Sequence, residues 1–74
     1  MLALYRNIKI RREKLGMTKA ELADKLGYKD EKIIDDIENG KIDILSSVLA
    51  KIIIALDIDD HQKLQWLFAD GKEI

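Results

Sequence analysis

Residues 17–40, MTKAELADKLGYKDEKIIDDIENG, decide how this chain is read. Thr18 with Glu21 three residues later is a capping-box pattern, in which each side chain takes a free backbone N–H at a helix start. Ala20, Leu22, Ala23 and Leu26 form a small apolar face, and Gly27 is a natural C-terminal stop because it tolerates positive φ. Residues 28–30 then make a tight turn. Asp30 is placed to cap a second helix, in which Ile34 and Ile37 are spaced to point inward and Asn39-Gly40 closes the run. The stretch therefore predicts two short helices, over residues 19–26 and 31–39, joined by a short link.

The flanks extend the same pattern. Residues 2–15 read as a first helix, with Leu4, Ile8, Arg11 and Leu15 along one stripe, Ile10 beside it and Gly16 at the end. After a loop over 40–44, residues 45–56 read as a fourth helix with Leu45, Leu49, Ile52 and Leu56 on one stripe and Val48 and Ala55 flanking. Ile53 and Ile54 widen that stripe, so this helix is expected to be nearly encircled or to meet a second subunit. A fifth helix is expected over residues 60–70, with Asp59 as its N-cap and Gln62 at the capping-box position. Leu64, Leu67 and Phe68 are expected to face inward and Trp66 elsewhere, with 71–74 as a frayed tail.

Composition agrees with a single all-α domain over 1–74. Seventy-four residues lie near the lower limit for a chain that folds on one core. With no cysteine, neither a disulfide nor a thiolate metal site is open to it. Apolar packing must supply stability, and 47% hydrophobic residues, including twelve isoleucines, supply the material. The longest apolar run, residues 52–56, is far too short to cross a bilayer, and residues 1–9 lack the apolar segment of a secretory signal. An intracellular, cytoplasmic domain with no membrane contact is the expectation.

Charge is unevenly placed. The net charge is −1, yet residues 1–19 carry six bases (Arg6, Lys9, Arg11, Arg12, Lys14, Lys19) against Glu13, giving +5, and the remainder is −6. Two short helices joined by a tight Gly-containing turn form the helix-turn-helix unit, whose second helix enters the DNA major groove. A basic first helix suits a phosphate backbone, while the whole-chain charge does not.

The run NIKIRREKLGMTKAELADKLGYK, followed by IIDDIENGK and LAKIIIALDID, resembles the Cro and λ-repressor-like helix-turn-helix family of phage and bacterial regulators. The resemblance covers residues 7–64, and its most specific parts are Arg12 to Thr18, Glu21 to Gly27 and Glu38 to Lys41. It implies a five-helix λ-repressor-like DNA-binding domain that regulates transcription and acts on double-stranded DNA; with so few contacts a monomer would bind weakly, so a homodimer on a two-fold operator is expected. By the same resemblance Thr18 caps helix 2, Lys19 replaces a glutamine that touches the DNA backbone, and Lys41 matches a phosphate contact. With Thr18 and Lys29 added, the expected phosphate set is Thr18, Lys19, Lys29 and Lys41. Arg12 and Glu38 match a structural ion pair that ties helix 1 to helix 3.

Departures from the family gather where bases would be read. Relatives tend to carry serine, arginine, asparagine or lysine there, whereas this helix offers Glu31, Lys32, Ile33 and Asp36 as the base-facing set. Residues 29–41 hold three bases and five acids, net −2. A carboxylate can accept from cytosine N4, but carboxylates between phosphate rows bring repulsion without counterion release. The alternative expectation is a helix-turn-helix domain turned to protein binding, with Asp30, Glu31, Asp35 and Asp36 rimming Ile33. For a homodimer, the surplus apolar residues Ile54, Trp66 and Phe68 are the expected surface. His61 alone, with no cysteine, and Asp57, Asp59 and Asp60 without a calcium-loop glycine, point to no catalytic centre, metal or cofactor.

Overall fold

The computed structural model describes residues 3–69, and in it five helices follow one another: α1 (Ala3–Lys14), α2 (Lys19–Lys25), α3 (Lys32–Glu38), α4 (Ser46–Ala55) and α5 (His61–Phe68). The expected ends of helix 1 at residue 2 and of helix 5 at residue 70, and the tail over 71–74, lie outside the described residues. One core joins all five elements. Ile8 of α1, Leu22 and Ala23 of α2, Ile34 and Ile37 of α3, Ile52 of α4 and Leu67 of α5 are buried together, with Leu26, Leu56 and Ile58 from the connections. That core supplies the main driving force for so short a chain.

Helix ends explain why the elements stop where they do. After each of α1, α2 and α3 a glycine takes positive φ (Gly16, Gly27 and Gly40). The next N–H reaches back to close the last turn: Met17 to Arg12 O, Tyr28 to Ala23 O and Lys41 to Asp36 O. This is the Schellman geometry, which satisfies carbonyls that the helix leaves free. Helix α4 ends the same way, with Ile58 N–H bonded to Ile53 O, but the left-handed residue is Asp57 at φ 54°. Arg11 reinforces that end, donating from Nε to Leu56 O at 2.9 Å and from Nη2 to Asp57 O at 3.3 Å.

Several expectations from the apolar stripes need correction. Asp60, not Asp59, caps α5, its Oδ1 accepting from Lys63 N–H at 2.8 Å. Asp59 instead pairs with the Lys63 ammonium at 2.7 Å. Leu64 and Phe68 are exposed, and Trp66 packs against the core, the reverse of the expected arrangement. Helix α5 is therefore seated by Leu67 and Trp66. Leu45 is the exposed N-cap of α4 and Leu15 is exposed, so each stripe is shorter than its pattern. Nor is α4 encircled: Ile53, Val48 and Ala55 lie against the core, whereas Ile54 is 76% exposed.

Candidate nucleic-acid interface

The α2–turn–α3 unit forms as its local signals require. Thr18 Oγ1 accepts from Glu21 N–H at 3.0 Å and Glu21 Oε1 accepts from Thr18 N–H at 2.8 Å. Both halves of the capping box are present, and the Thr18 backbone bond is the main cause holding the Glu21 carboxyl below its usual range. Thr18, expected to meet phosphate, thus has its hydroxyl and N–H in use as a cap. At the start of α3, Asp30 Oδ1 accepts from Lys32 N–H at 2.9 Å, and the helix proper begins after Glu31. Asp30 so caps from one residue further out than an ordinary N-cap, a difference within the fraying of helix ends.

Among the described residues two interhelix ion pairs brace this unit, one tying α3 to α1 and one joining α2 to α3. Arg12 and Glu38 have side chains only 7% and 2% exposed; Nε and Nη2 of Arg12 donate to the two carboxylate oxygens of Glu38 at 2.6 and 3.1 Å. Nη1 of Arg12 donates to Met17 O at 2.8 Å. The fork-to-fork bond raises the Arg12 pKa above its usual value, and with both oxygens served the buried charges are compensated. This is the ion pair that the resemblance implied.

The second pair was not anticipated. Lys19 at the start of α2 donates from Nζ to Asp35 Oδ1 at 2.6 Å, with both side chains over one-third exposed. Their hydrogen bond raises the Lys19 pKa and lowers that of Asp35. Sixteen residues separate the partners, so no helical spacing could have signalled the contact. Asn7, likewise silent in sequence, is buried and donates from Nδ2 to the carbonyls of Trp66, Leu67 and Ala69 at 3.0, 3.0 and 3.1 Å, closing the end of α5.

Of the expected base-facing residues, Glu31 and Lys32 are exposed on the outer side of α3, and Asp36 is half-buried with the Lys32 ammonium 3.9 Å away. Ile33 is not exposed as expected: it is half-buried and packs against the core. Lys29 and Lys41 are exposed, and among the described residues neither has an ion-pair partner. In the basic first helix, Arg11 and Arg12 are occupied internally, while Arg6, Lys9 and Lys14 remain exposed.

These pairings change the electrostatics of the face. Of the five acids over residues 29–41, Glu38 is buried against Arg12 and Asp35 is paired with Lys19. What remains is Asp30, Glu31 and Asp36 against Lys29, Lys32 and Lys41, a neutral face where a count along the chain gives −2. Beyond this face, a groove of about 440 Å³ is lined by Leu15, Met17, Lys25, Lys51, Ile54, Ala55 and Asp57. For the expected dimer surface, Ile54 and Phe68 are exposed and Trp66 is not free, since it packs on the core. No described helix is long and apolar enough to cross a membrane.

A helix-turn-helix family model matches residues 8–61, from within α1 to the first residue of α5 and more than half of the chain. No curated protein and no solved structure matches it.

Proposed function

This chain belongs to the Cro-type helix-turn-helix family found in phage and bacterial regulators, and from that membership we propose that it is a transcription regulator that binds double-stranded DNA. Helix α3 enters the major groove, Glu31 and Lys32 face base edges, and Lys29 and Lys41 meet phosphates on either side. A glutamate at Glu31 suits a cytosine N4 donor, and Lys32 suits the O6 and N7 acceptors of guanine. The observation that carries this reading is the pairing of Glu38 with Arg12 and of Asp35 with Lys19. With those two carboxylates compensated, the face that meets DNA is neutral instead of acidic, so the repulsion expected from the chain-order count is largely removed. Affinity from so few phosphate contacts is modest, and two copies on a two-fold operator are needed for tight binding. Phe68, 52% exposed on α5, and Ile54 are the apolar side chains offered for that homodimer. The function is binding, without catalysis, in the cytoplasm.

The alternative, an acidic α3 that docks on a basic protein, is less well supported, because Ile33 packs inward and Asp35 of the acidic rim is paired with Lys19. Selection of a duplex from a random pool, followed by fluorescence anisotropy at low and moderate salt, tests the DNA reading. A preferred sequence and a steep loss of affinity with salt are expected. Replacing Lys41 by Ala should weaken binding to all sequences and reduce the salt slope by about 1. Absence of duplex binding at low salt overturns the reading.

A further inference from the structure

Helix α3 turns Ile34, Ile37 and Glu38 inward and leaves Glu31, Lys32 and Asp35 along its outer side, one turn apart. Among the described residues Asp35 holds the one interhelix ion pair on that side: its carboxylate accepts the Lys19 ammonium from α2 at 2.6 Å, on the face assigned to DNA. That hydrogen bond is the main cause drawing the Asp35 carboxyl below the usual range. An ammonium held by a neighbouring carboxylate forms a pair of zero net charge, and such a pair neutralises no phosphate and releases no counterion.

We propose that Asp35 is a built-in competitor for DNA phosphate: its carboxylate occupies Lys19 in place of a phosphate oxygen and so limits the sequence-independent affinity of the interface. The inference rests on the DNA reading and identifies what regulates that same face. A domain whose lysines were all free would bind any duplex. With Asp35 in place, the phosphate term is trimmed, and base contacts from Glu31 and Lys32 weigh more in the total. Asp35 thereby favours specificity over affinity.

The test compares wild type, Asp35→Asn and the double variant Lys19→Gln/Asp35→Asn on a random-sequence duplex, by anisotropy across a salt series, with circular dichroism to establish that each is folded. Asp35→Asn should bind roughly fivefold more tightly at low salt, the size of one charge contact at water-like dielectric, with a slope of log affinity against log salt steeper by about 0.9. The double variant restores the wild-type net charge and should return the slope to wild type. A second measurement needs no DNA: the Asp35 carboxyl, titrated by NMR, should move up towards the ordinary range in Lys19→Gln. Weaker binding by Asp35→Asn at unchanged slope would mean that the pair only holds α2 against α3, and would overturn the proposal while leaving the DNA reading intact. An Asp35 titration unmoved by Lys19→Gln overturns it as well. If neither wild type nor Asp35→Asn binds duplex at low salt, the DNA reading fails and this proposal falls with it.

Discussion

Arg12 and Asn7 show how single side chains hold so small a domain together. The Arg12–Glu38 pair is buried and bidentate, so removing one partner strands the other's charge away from water. Arg12→Ala or Glu38→Ala should each cost about 3–5 kcal/mol, whereas replacing both by apolar residues of similar volume, as in Arg12→Met/Glu38→Leu, should leave stability near wild type. Urea unfolding of the three variants measures this, and equal losses in the single and double variants would contradict it. Against a total of roughly 5 kcal/mol at the low end for a small domain, either single change leaves little folded protein. The pair was legible from sequence only through the family pattern around Arg12 and Glu38. Asn7 was not legible at all, because its three carbonyl partners lie 59 to 62 residues away and an asparagine in a basic helix gives no local sign of them.

At the scale of elements, what could be read in advance was what neighbours within a turn determine. The capping box of Thr18 and Glu21 and the stops at Gly16, Gly27 and Gly40 depend on residues three to five apart, and all of them form. The end of α4 falls at Leu56, its C-cap, as the sequence indicates, but the left-handed backbone of Asp57 that makes the stop carries no glycine to announce it. Which apolar residues of α4 and α5 are covered is not legible from the pattern, since Leu45, Leu64 and Phe68 continue apolar runs that include the buried Ile52, Leu56 and Leu67. Periodicity says that a helix has a face, and packing decides where that face ends. Gly27 allows a clean measurement of the backbone contribution. Its φ is +86° and a Cβ built there would meet nothing within 4 Å. Gly27→Ala should therefore cost only the left-handed penalty, about 1–2 kcal/mol, with no repacking of the core. Thermal unfolding should show the loss, and unchanged side-chain NMR signals from Leu22 and Ile34 should show that the turn keeps its shape. Wholesale shifts of those signals would mean that the glycine serves a contact the geometry does not contain.

Taken over the whole molecule, charge decides more than the net value of −1 suggests, because pairs form between residues far apart in the chain. Those pairs also set how stability depends on pH. Among the described residues three carboxyls are held below their usual range in the folded protein: Glu21 by the Thr18 backbone N–H, Asp35 by the Lys19 ammonium and Asp59 by the Lys63 ammonium. A carboxyl depressed on folding contributes stability that is complete above its unfolded value, about pH 4, and is lost as pH falls through its folded value. Lys19 is raised on folding by Asp35. Its contribution is complete below its unfolded value, about pH 10.4, and is lost as pH rises through the folded one. Melting temperature should therefore be flat from about pH 5 to 10 and decline outside that window, gently, because these groups are exposed and solvent screens them. Asp35 and Lys19 are each the leading cause of the other's shift, so a single change should act at both ends of the profile. Asp35→Asn removes one carboxyl from the acid decline and simultaneously takes away the reason for Lys19's alkaline one. Melting curves of wild type and Asp35→Asn from pH 2 to 12 test that coupling. An alkaline decline that survives unchanged in Asp35→Asn would show that Lys19 owes its shift to some other neighbour, and the charge count on the outer face of α3 would have to be redrawn.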